Sequence, residues 1–154
     1  DLIFYLPSDS PSNASKFISL INPQVVFFVK YEFWFNYLNE LKKHNIPTYL
    51  ISGIFRENQY FFKWYGTWGK KQLSCFTHFF VQNESSKKLL NSIGYHNTTI
   101  TGDTRFDRVF EICNKVKSVP HLTDFKNNSK IIVAGSTWTK DEELLSTLDF
   151  KTLD

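Results

Sequence analysis

Short apolar runs alternate with amphipathic stretches along the whole chain, and this alternation limits the possible folds more than any other feature. The clearest run is Val25-Val26-Phe27-Phe28-Val29, continuous, β-branched and aromatic. Such a run suits a strand buried on both faces of a parallel sheet, because a strand of that kind has no watered side. Further strand patterns lie at 2–6, 48–51, 79–81, 99–101 and 130–134. Between them stand helix patterns. Ser10-Pro11 reads as an N-cap with proline in the first helical position, opening a helix to about Ile21 that Pro23 ends. Residues 36–43 put Tyr37, Leu38 and Leu41 on one helical face. Residues 59–76 read as one or two helices broken near Gly66 and Gly69. A helix at 84–93 has Gly94 where a C′ glycine belongs, and 106–117 and 141–148 complete the set. Strand and helix joined by short connections imply an α/β class, a parallel sheet with helices on both faces.

The chain has 154 residues, enough to hide roughly 70% of its unfolded surface in one core. Its formal charge of +3 is spread along the sequence, whereas nucleic-acid binders concentrate their basic residues, so no nucleic-acid partner is expected. Hydrophobic residues at 42% and charged residues at 21% exclude a disordered chain. The aromatic share of 18% calls for a Phe-heavy core or an exposed aromatic surface. Both uses suit the run Tyr60-Phe61-Phe62-Lys63-Trp64-Tyr65-Gly66-Thr67-Trp68-Gly69-Lys70-Lys71, which mixes large rings with lysine as membrane-interface segments do. Two cysteines, Cys75 and Cys113, make no disulfide framework; they read as buried, reduced thiols in helices of a cytosolic protein. Methionine is absent and the first apolar run begins at Leu2, so an internal piece of a longer protein is expected.

In an open parallel sheet, ligands bind at the carboxyl ends of the strands, so the polar residues there are the candidates. After 25–29, Glu32 stands among aromatics in Lys30-Tyr31-Glu32-Phe33-Trp34. It is either a ligand-facing carboxylate or an acid aligned with the following helix dipole. After 48–51, Arg56 could reach an anion or simply pair with Glu57 or Glu84. After 99–101, Asp103, Arg105, Asp107 and Arg108 crowd a glycine turn at Gly102. Arg105 offers a donor fork suited to phosphate or carboxylate, or an ion pair that ties domains together. After 130–134, Ser136 and Thr137 form an anion site at a helix start, or plain N-caps. The four histidines show no metal spacing, so no metal site is expected.

Tyr5-Leu6-Pro7-x-Asp9-x-Pro11, Glu32-x-Trp34-x-Asn36, Gln82-x-Glu84, Thr101-Gly102-x-x-Arg105-Phe106-Asp107 and Gly135-Ser136-Thr137 occur in that order. Together they resemble the 3-deoxy-D-manno-octulosonic acid (Kdo) transferase family, and the wording looks like its Bacteroidetes branch. The resemblance implies a GT-B glycosyltransferase: two α/β domains across a cleft, moving Kdo from CMP-Kdo to the lipid A precursor in lipopolysaccharide biosynthesis. Inversion, no cofactor and no metal are implied, as is work at the cytoplasmic face of the bacterial inner membrane with membrane contact. It implies that residues 1–107 are part of an N-terminal acceptor-binding domain. Residues 108–129 would be an interdomain linker region, and residues 130–154 the start of a C-terminal nucleotide-binding domain. Glu32 matches a functional acidic position near the reaction centre, in a supporting role. Arg56, Arg105, Asp107, Ser136 and Thr137 become substrate-binding candidates. Arg105 stands where lysine is frequent, Trp138 where histidine is frequent, and Lys30 where an acid is frequent. The principal base is expected upstream of Asp1 and the CMP-contacting loops downstream of Asp154, so the piece alone is expected to be inactive. Another GT-B enzyme, such as a sugar-nucleotide epimerase, and a non-catalytic flavodoxin-like module are the alternative readings.

Overall fold

The computed structural model describes residues 3–115, 121, 125 and 131–148. The chain divides into two compact units, Asp1–Asn114 and Lys115–Asp154. Within the expected linker region at 108–129, residues 116–120, 122–124 and 126–129 lie outside the described residues, as do Lys130 and residues 149–154.

The first unit holds a sheet of β1 (Val26–Val29), β2 (Thr48–Gly53), β3 (His78–Val81) and β4 (Thr98–Ile100). Its spatial order is β1-β2-β3-β4, with every neighbouring pair parallel. Its helices are α1 (Pro11–Ile21), α2 (Phe35–Lys43), α3 (Thr67–Leu73), α4 (Glu84–Ser92) and α5 (Thr104–Asn114), with a 3-10 turn at Tyr60–Phe62. The α/β class and the parallel sheet are those expected from the sequence.

Local chemistry sets many boundaries. Ser10 accepts a hydrogen bond from the Asn13 N–H at 3.3 Å, Pro11 opens α1, and Asn22 closes it with left-handed backbone. Asn83 caps α4 by accepting from the Ser86 N–H at 2.9 Å, and Gly94, at φ +95°, ends it. Gly66 marks the break ahead of α3, whereas Gly69 lies inside that helix. A Cβ on Gly69 would stand 2.3 Å from the Tyr60 ring, so the close approach is what requires glycine there.

The core lies on one side of the sheet. Leu50, Phe79 and Val81 meet Leu38 of α2, Leu73 of α3 and Leu90 of α4, with Phe55, Phe61 and Phe76 filling the layer. Ala14 and Ile18 of α1 pack on Tyr37 and Leu41 of α2, beside Val26 and Phe28. Strands that follow one another in space, joined by right-handed crossovers, send every connecting helix to the same face. The expectation of β1 buried on both faces and of helices on both faces is therefore corrected for the described residues. Phe27 and Val29 remain 55% and 49% exposed on the other face, beside half-buried Tyr49, His78 and Phe80. Phe27 stacks on Tyr49 with ring centroids 5.5 Å apart.

The expected strands at 2–6 and 130–134 and the placement of both cysteines also change. Residues 3–6 and 131–134 form no strand: among the described residues nothing pairs with them, and an extended run becomes a strand only through a ladder. Cys75 is buried but sits in the turn after α3, and Cys113, though in α5, is exposed. No residue of α5 is buried.

In the second unit, α6 (Thr139–Ser146) follows the turn at Ser136.

Candidate functional site

The carboxyl edge of the sheet collects most of the candidate residues, and the backbone there is unusual. The chain leaves β1 through Lys30 at φ +64°, ends β2 through Ser52 at φ +54°, and turns after β4 at Gly102 with φ +81°. Only glycine takes that conformation freely, so Lys30 and Ser52 hold strain that their surroundings must impose. At Ser52 the cause is visible. The Gln82 side-chain amide donates to the Ser52 carbonyl at 3.0 Å and to its hydroxyl at 3.2 Å. Ser52 is fully buried, and the β2–β3 register shifts between Leu50 and Gly53. The glutamine of Gln82-x-Glu84 thus clamps two strand ends together.

Glu32 lies in the loop after β1. Trp34 donates its indole N–H to Glu32 Oε2 at 2.5 Å, which orients the carboxylate. The neighbouring Phe33 turns inward against Phe55, Phe61 and Phe76 and anchors the loop. Glu32 is exposed and, among the described residues, is the single charged side chain lining an apolar groove of ≈ 440 Å³, whose walls include Leu6, Phe17, Val26 and Trp34. It stands ahead of α2, whose first turn carries no acid, so the helix-dipole alternative fails on position.

The acid at the α2 N-terminus is Asp9. Its carboxylate accepts from the Asn36 N–H at 3.1 and 3.3 Å and from the Tyr37 N–H at 3.3 Å. The Asn36 amide donates back to the Asp9 carbonyl at 2.9 Å, and Tyr37 donates its hydroxyl to the Pro7 carbonyl at 3.0 Å. Burial, then the nearby Asp9 charge, raises the Tyr37 pKa. Asp9 and Asn36 stand in separate sequence motifs, and the sequence signals their partnership only as a polar pair bracketing α1 and β1.

Asp103 and Arg105 form one device after β4. The Asp103 carboxylate accepts from the Arg105 backbone N–H at 3.0 Å, from Nε at 2.8 Å and from Nη2 at 2.5 Å. These hydrogen bonds, followed by the Arg105 and Lys30 charges, hold Asp103 down to about 2. The Asp103 side chain is 6% exposed and that of Arg105 72%, so a nearly covered acid aims an open guanidinium. Hydrogen bonding to Asp103 raises the Arg105 pKa, and Tyr31 adds to the rise. Lys30 and Tyr31 follow β1, at the opposite edge of the sheet from β4. The structure therefore brings the loop after β1 and the loop after β4 within electrostatic reach of each other.

The remaining candidates are more separate. Arg56 is exposed; its backbone N–H donates to Gln59 at 3.0 Å. Its guanidinium makes no ion pair among the described residues, so the expected alternatives Glu57 and Glu84 do not engage it. Asp107 lies exposed in the first turn of α5. In the second unit, Ser136 has φ +60° and Thr137 donates its hydroxyl to Glu142 at 3.0 Å. Neither is the N-cap; that position is Trp138, whose N–H is accepted by Asp141 at 3.0 Å. Among the described residues no group of His, Cys, Asp and Glu is arranged to hold a metal ion. No helix among them is long and apolar enough to cross a membrane.

Residues 1–108 match the family model of 3-deoxy-D-manno-octulosonic-acid transferase (kdotransferase). The 3-deoxy-D-manno-octulosonic acid transferase of Rickettsia typhi is 26% identical over 147 residues, 92% of this chain and 30% of that protein. The protein of the same name from Haemophilus influenzae is 25% identical over 154 residues, 92% of this chain and 34% of its own length. The chain thus spans about a third of the curated relatives it matches. No solved structure matches it.

Proposed function

The chain belongs to the 3-deoxy-D-manno-octulosonic acid (Kdo) transferase family, and from that premise we propose that the polypeptide containing it moves Kdo from CMP-Kdo to the lipid A precursor. The reaction is read as inverting and free of metal or cofactor, at the cytoplasmic face of the bacterial inner membrane. The observation that carries this reading is the family match over residues 1–108, the stretch that holds Glu32, Arg56, Arg105 and Asp107.

Residues 1–107 are read as part of the acceptor-binding domain, 108–129 as the link, and 130–154 as the start of the nucleotide domain. In the transfer, an acceptor hydroxyl gives its proton to a general base and bonds to the anomeric carbon, while the bond to the CMP phosphate breaks and CMP leaves with that bond's electron pair. Donor, acceptor and leaving CMP all carry anionic groups, which call for cationic partners held in place. Arg105 is positioned by Asp103, and the Arg56 guanidinium, without an ion pair among the described residues, can engage such a group. Glu32, aimed by Trp34 at the rim of an apolar groove, supports the reacting hydroxyl beside a lipid-bearing acceptor. Ser136 and Thr137 are assigned to the donor side.

The test is transfer of labelled Kdo by the full-length polypeptide. Glu32→Gln should lower kcat by roughly 10²–10³ while CMP-Kdo affinity stays normal, as loss of a transition-state contact does. The 154-residue chain alone should not exceed a no-enzyme control. Absence of Kdo transfer by the full-length polypeptide overturns the proposal; an unchanged kcat in Glu32→Gln removes Glu32 from it.

A further inference from the structure

From Asn58 to Asn83 the chain carries no acidic residue, yet it holds Lys63, Lys70 and Lys71 and a dense set of large rings. The fold sorts those rings into two groups. Phe61 is buried in the core, and Phe62 packs against it. Trp64 is 92% exposed, Tyr65 61% and Trp68 56%.

The exposed rings stand on a stiff support. The Tyr60 hydroxyl donates to Gln72 at 2.9 Å, fixing the 3-10 turn to α3. Gly69 lies against the Tyr60 ring, and a Cβ on Gly66 would fall 2.0 Å from the Tyr60 carbonyl, so the turn is closed at both glycines. Trp68 packs on Phe35 at 4.7 Å, and Trp64 meets Tyr65 edge-on at 5.5 Å. A fixed turn that holds Trp64 and Tyr65 in water leaves apolar surface that a partner would cover. Lys42, which reaches Ser74 at 2.9 Å, adds a further cation beside the end of α3.

We propose that the turn and helix at 60–71 form a membrane-docking face, in which Trp64, Tyr65 and Trp68 enter the interface of an anionic phospholipid bilayer and the lysines engage its headgroups. Tryptophan and tyrosine suit that depth because each ring is apolar with one polar tip. Lysine stems lie along apolar surface while their charges reach the phosphates. Cations without a compensating acid across the whole segment are complementary to a negative leaflet and to no neutral surface. The proposal rests on the lipid-acceptor reading for its purpose, but its test uses neither donor nor acceptor. Loss of one reading can therefore be told from loss of the other.

The experiment is co-sedimentation of the whole chain with vesicles of equal parts phosphatidylglycerol and phosphatidylcholine, and with phosphatidylcholine alone. Binding is expected to the anionic vesicles and to weaken with added salt. Trp64→Ala with Tyr65→Ala should weaken it at least ~10-fold. Lys63→Gln, Lys70→Gln and Lys71→Gln together should weaken it roughly 100-fold, at about fivefold per lysine. Phe106→Ala with Phe110→Ala, which trims other exposed rings on α5, should leave it unchanged. Brominated lipid should quench the tryptophan emission, and Trp64→Phe, a change that the open site tolerates, should remove much of that quenching. No binding to anionic vesicles, equal binding by the Trp64/Tyr65 variant, loss of binding through the α5 changes, or undiminished quenching in Trp64→Phe would each overturn the assignment.

Discussion

Replacing Asp9 with alanine removes the cap of a helix that begins more than twenty residues away in sequence. In the folded chain the Asp9 carboxylate serves two backbone N–H groups at the α2 N-terminus, at 3.1 and 3.3 Å. Deleting an N-cap of this kind costs about 1 kcal/mol. A negative charge at a helix N-terminus is worth a further ~0.3–1 kcal/mol. Asp9→Ala should therefore destabilise the chain by about 1.3–2 kcal/mol. At about 4 °C per kcal/mol for a unit of this size, Tm should fall by about 5–8 °C. Asp9→Asn keeps an acceptor and loses the charge, so it should cost about half as much. Thermal melts by circular dichroism measure both. Amide hydrogen exchange supplies the local readout: Asn36 and Tyr37 should exchange faster in Asp9→Ala, while Leu50 in the sheet keeps its protection relative to the global stability. A melting temperature within about 1 °C of the unaltered chain would refute the capping argument, as would unchanged exchange at Asn36 and Tyr37.

Ser86→Ala should cost about 1–3 kcal/mol in urea unfolding, because the buried Phe55 N–H donates to the Ser86 hydroxyl at 2.9 Å and would be left without an acceptor; a cost near zero would show that the site relaxes. Asp103 is held at about 2 against an ordinary 3.8, so its depressed folded value favours folding above pH ~4, and that contribution fades as pH falls toward 2. Arg105→Ala removes the main cause but keeps the backbone N–H of residue 105, so NMR titration of the Asp103 carboxyl should show its value rise from about 2 toward 3.8; a value still near 2 would assign the effect to that N–H and to Lys30. In the full-length enzyme Arg105→Lys should be milder than Arg105→Ala in KM, since charge survives while the fork is lost. A lowered Tm with both KM values unaltered would make Arg105 purely structural.

Local signals were legible in the sequence wherever a few adjacent residues decide the outcome. Ser10-Pro11 starts α1 and Gly94 ends α4 because caps and left-handed turns are chosen within one turn of chain. The apolar runs at 25–29, 48–51, 79–81 and 99–101 each place a strand, and the residues after them are those found at the carboxyl edge. Ordered motifs such as Glu32-x-Trp34-x-Asn36 also marked the family that the match over residues 1–108 shows. Tertiary structure decided the rest. The runs at 2–6 and 130–134 look like strands, but a ladder needs a neighbour that local composition does not supply. Phe61 and Trp64 belong to one aromatic run, yet one is core and the other open to water, because the closed turn at Gly66 and Gly69 directs them apart. Asp9 finds Asn36, Gln82 finds Ser52, and Lys30 comes near Asp103 only after parallel strands have stacked in order. Those contacts join residues far apart in the chain, so their energy depends on the backbone path between them, which no short window of sequence contains.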